Sequence, residues 1–279
     1  MRNTKRQLGI IILTLVGLWG LWGTVPAHAA TNLADQQPTL FFHGSSSSYK
    51  AEVHMVGAIK KAKITNKKSV IRANVSSKGK VTLIGKLPAT AKNPIVEVNY
   101  LNSNNHYYQT WGRWAKNVVV KLQKTYHFKR MNMVGHSMGN MAIMYYLIAN
   151  AKNKKLPQLQ KQVALGGHFD GVLGEDDYAH YIKLAKSGKP NHMDTAYRYM
   201  LRLRKLYPKS AKVLNIYGDL HNGTDSDGRV SNNSSRSMKY LVAGRAKSYR
   251  TKQLFGAGAQ HSRLHNNAHV DKLLISFLW

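Results

Sequence analysis

The sequence predicts an α/β fold: a mainly parallel central sheet flanked by helices, with a helical cap insertion over one edge. Three observations lead there. Short apolar runs rich in β-branched and aromatic residues alternate with longer segments of helical periodicity through most of the chain. The chain has 279 residues, of which 43% are hydrophobic, so one domain can bury a sizeable core although it contains no cysteine. A glycine-flanked serine, in Val134 to Asn140 (VGHSMGN), stands between an apolar strand-like run and an apolar helix-like run.

The elements follow in order. Thr39 to Phe42 reads as a buried strand that breaks at His43-Gly44, and Tyr49 to Ile64 places Val53, Val56 and Ile59 at helical spacing. Ser69 to Val75 and Lys80 to Leu87 both alternate around the turn Ser76-Ser77-Lys78-Gly79, which predicts a hairpin or two adjacent strands. Pro94 to Leu101 is β-rich. Trp111, Trp114, Val118, Leu122 and Tyr126 form the apolar stripe of a helix over Thr110 to Tyr126. A short strand, Met131 to Val134, precedes a helix over Met138 to Ala151 that is apolar on most sides, as a helix packed against a sheet should be. Gln162 to Leu165, Val213 to Tyr217 and Arg250 to Phe255 read as further strands, and Ala268 to Trp279 as a closing amphipathic helix. Strands alternating with helices imply parallel pairing and cover on both faces. Residues 171–209 interrupt that rhythm with two helical stretches, Ala179 to Lys186 and Asp194 to Leu206, and predict a cap above the carboxyl edge of the sheet.

The first 29 residues are set apart from this domain. Arg2, Lys5 and Arg6 precede an apolar run from Leu8 to Gly23, followed by Pro26 and Ala27-His28-Ala29, the three-part pattern of a secretory signal. An uncleaved membrane anchor is the alternative, although the run is short of the ~20 residues that a spanning helix prefers. Either way residues 30–279 are expected outside the cell, secreted or at the cell surface. Export without cysteine suits a bacterial envelope. The chain carries 42 Lys+Arg against 12 Asp+Glu, a net charge of +30. Such a chain binds polyanions by neutralising their charge, and outside the cell those are anionic wall polymers and membrane surfaces. A solvated basic surface that aids solubility is the plainer reading. No nucleic-acid motif is present and the lysines are spread along the chain, so nucleic acid is not an expected partner.

Gly135-His136-Ser137-Met138-Gly139 is a G-x-S-x-G pentapeptide placed between strand and helix. That context suits a nucleophile elbow, where the glycines remove side chains that would clash with neighbouring strand and helix, and the helix N-terminus faces a developing oxyanion. A nucleophilic serine needs oxyanion donors, a base and an orienting acid. The donors are expected from the backbone N–H groups of Met138, next after the nucleophile, and Ser45, since His43-Gly44 matches the His-Gly turn of many lipases and esterases. His43 itself is expected to be structural. Three aspartates follow the strand Val213 to Tyr217. Ser226-Asp227-Gly228-Arg229-Val230 resembles the segment that holds the acid of many lipases, which favours Asp227, with Asp219 as runner-up and Asp225 also in the loop. The same three carboxylates are a conceivable calcium site, but without EF-hand spacing, and neither metal nor cofactor is expected. For the base, His261 and His265 compete in the loop after the last strand, with His261 preferred; His269 falls on the closing helix, which Asn266 and Asn267 would cap.

The order Ser137, Asp227, His261 is that of α/β-hydrolases. Residues 39–279 resemble that superfamily, and within it the cell-surface hydrolases of lactobacilli and related Gram-positive bacteria, a family of largely unknown function. The segments FFHG, VGHSMGN, SDGRV and HSRLHNNAHVDKLLISFLW carry the resemblance. Ser45 to Ser48 replace the glycine-rich stretch that usually follows His-Gly, so an oxyanion loop of different shape is expected; Asn266 and Ala268 stand where an acidic residue and a proline are usual. The resemblance implies a serine hydrolase acting on small or lipid-like esters through an acyl-enzyme. The contrasting expectation is a hydrolase scaffold with weak catalysis that binds anionic wall polymer.

Overall fold

The computed structural model describes residues 31–279; the expected signal segment lies outside the described residues. Eight strands form one sheet in the order β3-β2-β4-β1-β5-β6-β7-β8. They are β1 (Thr39–Phe42), β2 (Val70–Val75), β3 (Val81–Ile84), β4 (Ile95–Tyr100), β5 (Arg130–His136), β6 (Gln158–Leu165), β7 (Lys212–Asp219) and β8 (Ser248–Phe255). The hairpin partners β2 and β3 pair antiparallel, and every other pair is parallel. The α/β-hydrolase fold expected from the sequence is therefore the fold observed.

Central strands are apolar on both sides because both faces are covered. β1 and β4 are buried along their whole lengths. On one face α1 (Val53–Lys61) and α8 (Ala268–Leu278) pack over Phe41, Val134, Val163, Leu165 and Ile216. On the other, α2 (Tyr108–Tyr126) and α3 (Met138–Asn150) pack over Leu40, Phe42, Val96 and Met133, with Trp111, Trp114 and Tyr126 inside. Met141, Met144, Tyr145 and Tyr146 on α3 all belong to this core. Asn267 alone caps α8, its Oδ1 accepting from the N–H groups of His269 and Val270.

Residues 171–209 lie at the carboxyl edge, tied to neighbouring loops by Leu173 N–H to Arg229 O (3.0 Å) and by His180 Nε2 to Gly223 O (2.9 Å). Of the two helical stretches expected there, only the second forms, as α4 (Thr195–Met200) and α5 (Leu203–Leu206). Residues 179–186 are turns. Ile182 is the single large side chain that they bury, Tyr178 and Tyr181 being exposed, so no apolar stripe rewards a helix. Instead Leu184 bridges to Pro190 around a turn in which Gly188 takes φ +85°. Two short helices beyond the acid loop, α6 (Asn232–Arg236) and α7 (Met238–Val242), were not expected from the sequence.

Candidate active site

β5 delivers Ser137 to the carboxyl edge and α3 begins at the next residue. Ser137 has φ 52° and ψ −123°, a conformation that a side-chain-bearing residue adopts only under constraint. The constraint is visible in its neighbours. Ser137 N–H donates to Leu165 O (3.0 Å), and Asn140 binds the same oxygen through Nδ2 (3.0 Å). A Cβ on Gly139 would meet Phe42 O at 2.1 Å, and one on Gly135 would meet Asn140 N at 2.8 Å. Only glycine lets strand, turn and helix close this tightly. The Met138 N–H lies in the first turn of α3, where helical N–H groups lack helical partners.

The turn after β1 comes against the same serine. A Cβ on Gly44 would stand 3.0 Å from Ser137 Cβ and 3.5 Å from its Oγ, which puts the Gly44-Ser45 turn beside the hydroxyl. The serine run is held by the loop after β4: Ser45 Oγ and Ser46 N–H both donate to Ser103 O (3.1 and 3.0 Å), and Ser46 Oγ donates to Asn104 Oδ1 (2.9 Å). Beneath it the buried His43 ring donates from Nδ1 to Gly44 O (2.8 Å) and accepts at Nε2 from Tyr100 N–H (3.0 Å). Burial pushes that imidazole down to about 4, so it stays neutral and braces the turn.

The structure brings Asp227 and His261 together. His261 Nδ1 donates to Asp227 Oδ2 at 2.7 Å, and His261 N–H donates to Asp227 O at 2.9 Å. The other carboxylate oxygen accepts from Arg229 N–H (2.9 Å) and Val230 N–H (2.7 Å), so Asp227 is fully engaged while 1% exposed. Two glycines make room. A Cβ on Gly166 would lie 3.1 Å from His261 Nδ1 and 3.2 Å from Asp227 Oδ2; one on Gly218 would lie 1.9 Å from Ala259 O.

The rival residues are occupied elsewhere. Asp219 accepts from His221 N–H, Asn232 Nδ2 and Gln253 Nε2, while exposed Asp225 stands 3.3 Å from His180 Nδ1. His265 packs edge-on against His136, with ring centroids 4.7 Å apart, and His269 lies on α8. Asp219, Asp225 and Asp227 do not converge, and among the described residues no group of three His, Asp or Glu side chains is placed to hold a metal ion.

Three residues near this site escaped the sequence reading. His136, the second residue of the pentapeptide, donates from Nε2 to His261 O (3.0 Å), and burial holds its imidazole well below the usual histidine range. Its place between Gly135 and Ser137 was the available signal. His168, two residues beyond Gly166, is buried and pushed down to about 3 by burial and then by His261. Asn140 closes the elbow as described. A cavity of about 460 Å³ opens among residues 170–198, lined by Asp170, Asp176 and Asp194 among others. Burial raises Asp170 to about 7 and Asp194 to about 6, and their carboxylate neighbours add to both shifts.

The family model described as "Alpha/beta hydrolase of unknown function (DUF915)" matches residues 26–279. A gene product of Listeria innocua has a solved structure that superimposes with a TM-score of 0.79 at 27% identity, covering 88% of this chain and 94% of that one. A Lactobacillus plantarum protein provisionally named a cell surface hydrolase gives a TM-score of 0.68 at 21% identity, covering 87% and 90%. Carboxylesterase CesB of Bacillus subtilis shares the fold at 11% identity, with a TM-score of 0.51 over 89% and 86%. No curated protein matches the chain.

Proposed function

Because the chain belongs to the DUF915 family of α/β-hydrolases, we propose that it is an exported serine hydrolase that cleaves carboxylic esters at Ser137. The observation that carries this reading is the 2.7 Å contact between His261 Nδ1 and Asp227 Oδ2, taken together with a serine held at φ 52°. With Nδ1 donating to Asp227, the remaining ring nitrogen of His261 is the one left to take a proton. In the proposed reaction it takes the proton of Ser137 Oγ as that oxygen attacks the acyl carbon. Negative charge gathers on the carbonyl oxygen and is met by the N–H groups of Ser45 and Met138. The imidazolium, steadied by Asp227, returns its proton to the leaving alcohol, and water resolves the acyl-enzyme by the reverse sequence.

The preference for ester over amide or thioester rests on the lipase-like His43-Gly44 and Ser226-Asp227-Gly228 segments, since the three-residue chemistry serves all of them. Export rests on the pattern of residues 1–29. Labelling of residues 30–279 with a fluorophosphonate tests the proposal. Wild type is expected to label and Ser137→Ala not to; folded wild type that fails to label, and fails to hydrolyse short-chain nitrophenyl esters, overturns it.

A further inference from the structure

Along strands β7 and β8, at the sheet edge and on the face that α8 covers, lies a second concave surface, a groove of about 550 Å³. Its walls include Lys161, Lys212, Lys247, Arg250 and Lys252. No acidic residue lines it. The strand register explains the gathering: Lys161 of β6 lies opposite Lys212 of β7, and Lys212 opposite Ser248 of β8. Arg250 and Lys252 follow two and four residues later, on the same face of the edge strand, because side chains alternate along a strand. That face continues the one covered by α8, whose Leu273, Ser276 and Phe277 form the far wall, while Leu214 lies at the floor.

Five cations in one groove repel each other. None of them forms an ion pair among the described residues. Lys161 Nζ is held at Leu278 O (2.8 Å), and burial, then the charge of Lys212, lowers its pKa. Such crowding without counter-charge costs stability and is relieved by an anion in the groove. The spacing favours a chain of anions over a single one. Neighbouring strands are about 4.8 Å apart and alternate residues of one strand about 6.6 Å apart, so the cations form an array and not a single pocket. Concavity favours a polymer strand over a flat membrane.

We propose that this groove is a docking site for a linear polymer bearing repeated phosphate groups, separate from the catalytic edge. It gives the charge of the chain a definite place of action on β7 and β8, two and three strands across the sheet from the β5 that carries the nucleophile, and it holds whether or not Ser137 hydrolyses esters. A polymer gripped there would keep the enzyme on its surface while leaving the cap free.

The test uses residues 30–279 and long-chain inorganic polyphosphate, with binding followed by fluorescence anisotropy over a series of salt concentrations. A groove variant, Lys212→Gln with Arg250→Gln and Lys252→Gln, is compared with a control of equal charge, Lys116→Gln with Lys121→Gln and Lys124→Gln on the exposed face of α2. Both triples alter exposed side chains, and melting temperatures verify that both fold. The groove variant is expected to bind at least about tenfold more weakly and to lose about 2 from the slope of log affinity against log salt, near 0.7 per phosphate contact for a single strand; the control is expected to stay within about twofold. Equal loss in both triples, or none in either, overturns the proposal. So does loss of binding to phosphatidylglycerol vesicles with polyphosphate binding intact, which would assign the groove to a membrane surface.

Discussion

His261 and Asp227 are joined twice, through imidazole Nδ1 to carboxylate Oδ2 at 2.7 Å and through the His261 N–H to the Asp227 carbonyl at 2.9 Å. The second bond fixes the loop after β8 to the loop after β7 independently of the side chains. Ring and carboxylate therefore meet with little freedom left to lose.

From that double link, Asp227→Asn is expected to preserve the fold and to lower kcat by about 10³–10⁴-fold. The amide leaves the imidazole in the wrong tautomer or unsteadied as a cation. His261→Ala is expected to fall at least as far, and His265→Ala to stay within about threefold, since His265 touches His136 and not Asp227. Steady-state kinetics on a nitrophenyl ester, with circular dichroism to verify folding, separates the two histidines. Comparable losses at both positions would contradict the assignment of the base.

Gly166→Ala should injure the site more than the fold. The residue has φ +51°, and its new methyl would sit 3.1 Å from His261 Nδ1 and 3.2 Å from Asp227 Oδ2. Left-handed backbone at alanine costs roughly 1–2 kcal/mol, and the contacts force the ring or carboxylate to shift. A kcat reduced about 10- to 100-fold with KM nearly unchanged is expected, alongside a stability loss of that size by urea unfolding. Unchanged kcat would mean that the pair has room to yield.

Much of this was legible in the sequence because local pattern and global fold agree. Strand and helix periods located β1, β2, β4, β5 and α2, α3 and α8 to within a few residues, and the glycines of the pentapeptide are demanded by contacts with Phe42 O and Asn140 N. The acid and base were harder. The Ser226-Asp227-Gly228 segment favoured Asp227 over Asp219 and Asp225 only by resemblance, and the folded loop is what brings that carboxylate to His261. Residues 179–186 depart from the expected helix because their polar sequence offers no apolar stripe to bury. His136 had only its place in the pentapeptide as a signal, and His168 had none. Their role follows from long-range packing that no window of neighbours contains.

A buried carboxyl outside the proposed reaction makes stability depend on pH. Glu52 is 1% exposed, and neither of its oxygens has a hydrogen-bond partner. Burial, with the charge of Glu97, raises its pKa well above the usual 4.5, and Arg72 offsets this only in part. The folded protein therefore keeps Glu52 protonated at a pH where the unfolded chain has already ionised it. This group's contribution to stability is complete below pH 4.5 and is lost as pH rises toward the folded pKa, at about 1.4 kcal/mol for each unit of elevation. Glu52→Gln keeps the shape and removes the proton. Its melting temperature should match wild type near pH 4 and exceed it by a margin that grows as pH rises above 4.5 until Glu52 ionises in the fold, about 2–4 °C per kcal/mol. Other groups also tilt the curves. Asp170 and Asp194 act in the same sense as Glu52, while the neutral buried His43, His136 and His168 favour the fold at higher pH. They are common to both proteins, so the difference curve isolates Glu52. A flat difference between pH 4 and 8, by differential scanning fluorimetry, would mean that Glu52 ionises in the fold as readily as outside it.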